Sequence, residues 1–134
     1  MTIHGNHYIC DLKVHLIFVV KYRRKLITPS IRKALISSFR RTCKSLNCKL
    51  LESNGEEDHM HLLLEYPTPL SISTIVKRLK GASATSIRRF PSLQKSLWMR
   101  SFWSGGYYAT SCGGASLDAI KVYIENQDQN SSQD

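Results

Sequence analysis

The chain has 134 residues, of which 42% are hydrophobic and 22% charged, and a formal net charge of +9. That length accommodates one core, and the balance is that of a globular domain rather than a disordered chain. The longest apolar run, Leu16 to Val20, is too short to span a bilayer and the N-terminus carries no signal-peptide pattern, so the sequence predicts a cytoplasmic protein with no membrane partner.

In chain order, Leu12 to Val20 alternates Leu12, Val14, Leu16, Phe18 and Val20 against Lys13, His15, Ile17 and Val19, a period of two that predicts a largely buried strand. A basic exit, Lys-Tyr-Arg-Arg-Lys, follows. Thr28 and Pro29 then form a helix start, with Ile31, Leu35, Phe39, Cys43 and Leu46 on one face and Asn47 as a stop. Strands are expected at about Lys49 to Ser53 and Asp58 to Tyr66, joined through an Asn54-Gly55 hairpin turn. Ser71 or Ser73 caps a second helix with Ile72, Ile75, Val76 and Leu79 inward and Lys77, Arg78 and Lys80 outward. Phe102, Trp103, Tyr107 and Tyr108 around Gly105-Gly106 indicate another strand region with a turn. Ser116, after Gly113-Gly114, caps a last helix with Leu117, Ile120 and Ile124 on its apolar face.

This order predicts an α+β fold: a ferredoxin-like or RRM-like antiparallel sheet with helices packed on it and an added C-terminal helix. One domain spans residues 1–134, ordered over about 8–128, with a polar tail at 129–134.

Charge is segregated along the chain. No acid occurs from Leu12 to Leu51, which carries eleven basic residues, or from Tyr66 to Leu117, which carries seven more. A phosphate-binding surface needs such segregation, because each neutralised phosphate releases condensed counterions; a merely solvated basic face is the alternative. Cys10, Cys43, Cys48 and Cys112 show neither CxxC spacing nor pairing with the histidines, and are read as reduced thiols outside any zinc site.

Two constellations carry chemistry. His59-Met60-His61 lies within a strand, where alternation turns both imidazoles to one face with Cβ atoms about 7 Å apart and Met60 to the other. Such a pair can chelate one metal ion, or can simply face solvent on a half-exposed strand. Tyr123 and Gln127 stand four apart on the last helix and share one face, offering a phenol as nucleophile and a neutral oxygen ligand beside it. The alternative for the tyrosine is packing at the helix edge.

Five segments carry a family resemblance: HLIFVVKYRRKLIT from His15, DHMHLLL from Asp58, IVKRLKGAS from Ile75, LWMRSFWSGGYYATSCGG from Leu97 and SLDAIKVYIENQ from Ser116. In this order the sequence resembles the single-tyrosine HUH transposases (TnpA) of the small hairpin-ended bacterial insertion sequences. The resemblance implies His59, His61 and Gln127 as ligands of Mg²⁺ or Mn²⁺, Tyr123 as nucleophile, and no nucleotide cofactor. It also implies a homodimer with shared active sites, acting on single-stranded DNA with subterminal hairpins through a 5′-phosphotyrosine. Lys21, Arg23, Arg24, Lys77, Arg78 and Lys80 are then candidates to hold the DNA backbone, and Tyr22 and Trp103 to stack bases. A domesticated relative nicking chromosomal palindromes is one alternative. The other is a non-catalytic RNA-binding module on an RRM-like sheet, which the missing aromatic RNP1 pattern disfavours.

Overall fold

The computed structural model describes residues 3–4, 9–97, 102–111 and 122–126. Two short strands, β1 (Ile3–His4) and β2 (Ile9–Cys10), pair antiparallel ahead of the main sheet. The alternating segment forms β3 (Leu12–Val19), and the basic exit is a 3₁₀ turn (Lys21–Arg23). Then come α1 (Pro29–Ser45), β4 (Lys49–Gly55), β5 (His59–Tyr66), α2 (Ile72–Ser86), α3 (Pro91–Leu97) and β6 (Tyr108–Ser111). Residues 122–126 are helical, here α4.

The sheet order is β4-β5-β3-β6, with every neighbouring pair antiparallel. Each helical crossover therefore skips a strand, which is the split βαβ arrangement of the ferredoxin-like fold and matches the architecture expected from the sequence. One face of the sheet is the core: Val14, Leu16, Phe18, Met60, Leu62 and Leu64 pack with Ile31, Leu35 and Phe39 of α1 and Ile75, Val76 and Leu79 of α2. The other face carries the odd-numbered residues of β3 and β5.

Local signals set the helix boundaries. Thr28 Oγ1 accepts from the Ile31 amide at 3.2 Å with Pro29 in the first turn, and Ser71, not Ser73, caps α2 by accepting from the Thr74 amide at 3.1 Å. Each such cap stabilises a helix by about 1 kcal/mol. Asn47 takes the left-handed conformation (φ 58°) just past α1, as a stop residue should. The expected last helix start at Ser116 lies outside the described residues. The helix α3 was not expected, since Pro91 and the short segment after it show no sustained apolar period.

One turn is corrected. Asn54-Gly55 is not the hairpin loop but the end of β4, with Asn54 opposite His61 and Gly55 opposite Met60, and the chain reverses through Glu56, Glu57 and Asp58. Glycine is required there by close approach. A Cβ at position 55 would overlap the His59 carbonyl oxygen and fall 2.6 Å from Met60 Sδ and 2.8 Å from Met60 Cα. Backbone on one side and a buried side chain on the other leave no room to yield. Gly55→Ala is expected to destabilise the fold by about 1–3 kcal/mol. Urea unfolding measures it, and an unchanged midpoint would mean that this end of the ladder opens freely.

Candidate active site

The strand β5 is placed by its even residues. Met60, Leu62 and Leu64 are completely buried in the core, so His59 and His61 must take the opposite face. Their rings lie near parallel, with centroids 6.4 Å apart and planes at 29°. The His59 ring is fixed by Asp58: Nδ1 donates to Oδ1 at 2.8 Å, which leaves the Nε2 lone pair for a ligand. Asp58 also accepts from Arg23 Nε through Oδ2 at 3.3 Å. Burial alone would raise the Asp58 pKa, but the His59 and Arg23 hydrogen bonds and charges outweigh it and hold the carboxyl below its ordinary value. The His61 pKa is lowered, first by burial and then by His15 and His59, so its imidazole stays neutral and able to donate a lone pair.

Three participants were missed in the sequence. Glu56, Asp58 and His59 bring their donor atoms within 4.8 Å of one another, so the reversal preceding β5 adds carboxylates beside the imidazole pair. Asp58 is already engaged by two partners, which suits it to orient His59 rather than to bind an ion itself. The third is His15, whose ring meets that of His61 edge-on at 5.7 Å. It stands on β3, opposite Leu63, and so on the same face. Its place on an odd position of the alternating strand was the available signal.

Arg23 reaches Asp58 because the chain bends sharply after β3. Tyr22 and Arg23 both take positive φ, 62° and 51°, a conformation that costs about 1–3 kcal/mol per residue and marks a constrained segment. Tyr22 is exposed between two cations, with Lys21 Nζ 5.6 Å and the Arg24 guanidinium 5.3 Å from its ring. A cleft of about 460 Å³ beside this bend is lined by Arg23, Lys25, Arg32, Glu56 and Asp58, among others.

On the other side of β3, Ile17 lies between His61 and Tyr108, so these three residues form one row across the sheet. Adjacent strands are about 4.8 Å apart, which puts the His61 and Tyr108 backbones roughly 10 Å apart. Tyr123 on α4 packs its ring 5.4 Å from that of Tyr108 and is thereby held on the imidazole face. Its hydroxyl is shielded from solvent without a hydrogen-bond partner among the described residues, and burial pushes its pKa up to about 12. Gln127, its expected companion, lies outside the described residues.

The candidate DNA contacts divide. Lys21, Tyr22, Arg23 and Arg24 gather at the bend beside His59. Lys77 and Arg78 are exposed on α2, on the opposite side of the sheet from the histidines. Two candidates are corrected. Trp103 is only 3% exposed and donates from Nε1 to Ser83 Oγ at 3.0 Å, so it is a core residue and not a stacking platform. Lys80 turns inward instead of outward, donating to the carbonyls of Ser104 and Gly106 at 2.7 Å each, and burial lowers its pKa to about 8.

Fold and site together define an α+β domain with a histidine pair, one ring of which is oriented by a carboxylate, and a tyrosine on the sheet face opposite α1 and α2. The model of the family described as "Transposase IS200 like" matches residues 8–127. The chain belongs to this family. It is 35% identical over 118 residues to the transposase of insertion sequence element IS200 from Salmonella typhimurium, covering 87% of this chain and 77% of that one. It is 31% identical over 124 residues to the ISDra2 transposase TnpA of Deinococcus radiodurans, covering 92% and 89%. A crystal structure of a Deinococcus radiodurans protein assigned as a transposase superposes with a TM-score of 0.83 at 30% identity, over 92% of this chain and 96% of that one. The fold is shared more distantly with a REP-associated tyrosine transposase bound to a REP hairpin, with a TM-score of 0.55 at 10% identity over 99% and 74% of the two chains.

Because Trp103 bridges β3 and α2 from within the core, its loss should be read in stability and not in recognition. Trp103→Phe leaves Ser83 without its buried donor and is expected to cost about 1–3 kcal/mol, while the folded variant binds DNA as the parent does. Chemical unfolding and fluorescence anisotropy measure the two. A selective loss of DNA affinity at unchanged stability would restore Trp103 as a base contact.

Proposed function

We propose that this chain cuts and rejoins single-stranded DNA at the ends of an insertion sequence, with Tyr123 as the nucleophile. The observation that carries the reading is the row His61, Ile17, Tyr108, with Tyr123 packed on its far end. The strands carrying His61 and Tyr108 are two strand spacings, roughly 10 Å, apart across this row, and the phosphodiester is proposed to lie between the phenol and the imidazoles. His59, through Nε2, and His61 would hold a divalent ion, Mg²⁺ or Mn²⁺, with Gln127 as the third ligand. When bound, the ion supplies Lewis-acid polarisation of a phosphate oxygen.

The protein's own residues do the rest. Asp58 holds the His59 ring in orientation, and Arg23 holds Asp58. Tyr123 Oη forms a bond to phosphorus as the 3′-oxygen leaves, and the phenolic proton passes through solvent to that oxygen. The products are a 5′-phosphotyrosine and a free 3′-hydroxyl. The ester energy is kept in the covalent link, so another 3′-hydroxyl can reverse the step on a new end without a nucleotide cofactor. Lys21, Tyr22, Arg23 and Arg24 lie beside the site and would guide the strand into it, with Lys77 and Arg78 available to more distant phosphates. The preferred substrate is single-stranded DNA with subterminal hairpins.

Tyr123→Phe should abolish the covalent protein–DNA adduct and leave hairpin binding within about twofold, because one oxygen is lost and the ring packing on Tyr108 is kept. A denaturing gel that still shows the adduct would remove Tyr123 from this role.

The working form is proposed to be a symmetric homodimer, with shared sites where exchange of the tyrosine helix between subunits replaces the same-chain packing of Tyr123 on Tyr108 by the equivalent packing across the dimer. Two ends must be handled together, and each chain has one histidine pair and one tyrosine helix. Mixing His59→Ala/His61→Ala protein with Tyr123→Phe protein should then recover cleavage that neither shows alone, since subunit exchange assembles one intact composite site. A mixture that exchanges subunits and stays inactive would place each tyrosine with its own chain's histidines.

A further inference from the structure

The geometry points to Lys80 as a positioning residue for the nucleophile, acting through the loop that runs past the Tyr123 hydroxyl. Lys80 Nζ donates to the carbonyl oxygens of Ser104 and Gly106 at 2.7 Å each. A Cβ built on Gly106 would stand 3.9 Å from Tyr123 Oη, whereas one built on Gly105 would meet nothing within 4 Å. One ammonium on a rigid helix thus grips both sides of Gly105, and the gripped segment leads within two residues to Tyr108, whose ring supports that of Tyr123.

The loop needs an external hold. Two successive glycines have the widest backbone freedom of any pair, so the segment does not fix its own path. Its beginning is anchored by main chain, with the Lys21 amide donating to the Phe102 carbonyl at 2.9 Å and the Ser104 amide to the Val19 carbonyl at 2.8 Å. Trp103 adds its bond to Ser83, one turn of α2 beyond Lys80. Lys80 then ties the carbonyls of Ser104 and Gly106 to α2, and its ammonium also lies 5.7 Å from the Phe18 ring centroid. Lys80 therefore transmits the position of the helix layer, on the core face, to the phenol on the opposite face. It touches no substrate in this arrangement. Displacing a reacting group by about 1 Å can cost a hundredfold in rate, so a residue that sets the loop sets the rate.

This proposal rests on Tyr123 being the nucleophile, and the test separates the two. The substrate is a labelled single-stranded oligonucleotide copied from the hairpin-bearing DNA beside the gene, with Mn²⁺ present. Lys80→Met keeps the apolar stem and removes the donors. It should lower the single-turnover rate of adduct formation at saturating DNA by about tenfold to a hundredfold, with hairpin affinity within about twofold. Lys80→Arg, which can still donate to two carbonyls, should recover most of the rate. Should the Met variant fail to fold by near-UV circular dichroism, Lys80→Gln takes its place in the comparison with Lys80→Arg. A saturating rate unchanged in Lys80→Met overturns the proposal while Tyr123 keeps its role. Lost affinity with an intact saturating rate would make Lys80 a DNA contact, and equal losses of rate and melting temperature in the Met and Arg variants would make it packing alone; both overturn it. If the parent protein forms no adduct at all, the nucleophile reading falls and this one falls with it.

Discussion

The register between β3 and β5, with Ile17 opposite His61 and Val19 opposite His59, is the constraint on which the site depends. A slip by one residue would turn Met60, Leu62 and Leu64 out of the core and both imidazoles into it. Each of those apolar side chains stabilises the fold by about 1.5–3 kcal/mol when buried, whereas an imidazole without a partner in their place is penalised. Burial on one face thus determines the chemistry of the other. The same ladder extends to β6, where Ile17 opposes Tyr108, so the register that presents the histidines also presents the support for Tyr123.

Asp58 shows how a basic protein keeps a local acid useful. It ends the reversal into β5, with its carbonyl accepting from the Val20 amide at 2.8 Å, while the Glu57 carbonyl accepts from Ile27 at 2.9 Å. The turn is therefore bound to the segment that follows β3. Its carboxylate divides between Arg23 and His59. The left-handed pair Tyr22 and Arg23 bends the chain so that the guanidinium can return to this carboxylate, and the cost of that bend is set against a charge-assisted bond. Orientation of the imidazole and direction of the basic bend are consequently one feature.

Most of the fold was legible because its signals are local and periodic. Alternation in Leu12 to Val20, the Thr28-Pro29 start and the Asn47 stop all describe what the structure contains. Asn54-Gly55 misled because dipeptide turn preference was opposed by close strand approach, and only the structure reveals that the glycine is needed for a missing Cβ. That His59 and His61 share one face was legible from spacing, since a strand's period of two is fixed, whereas their role as ligands was implied only by the family resemblance. His15 was not singled out, because its partner His61 is distant in sequence and joined to it only by strand pairing. Lys80 and Trp103 were misread for a related reason. Helical periodicity assigns a long cation at a face boundary to solvent, and the DNA substrate implied by the resemblance made Trp103 a stacking candidate, but both are claimed by a long-range contact between α2 and the loop before β6.

The state of the Tyr123 hydroxyl bears on why a phenol is found at that point of the sheet. A shielded hydroxyl without a partner costs about 1–3 kcal/mol, and a single acceptor nearby would remove that cost. If the ring served packing alone, phenylalanine would fill the same volume against Tyr108 without the polar atom. Burial also raises the pKa to about 12, so the oxygen attacks as a phenol whose proton must leave during the reaction. In the proposed reaction a phosphate enters between Tyr123 and His61 and meets the phenol there. Among the described residues the hydroxyl holds no hydrogen bond that must be broken before it meets phosphorus, so the packing of its ring on Tyr108 sets its position and the substrate supplies its partner.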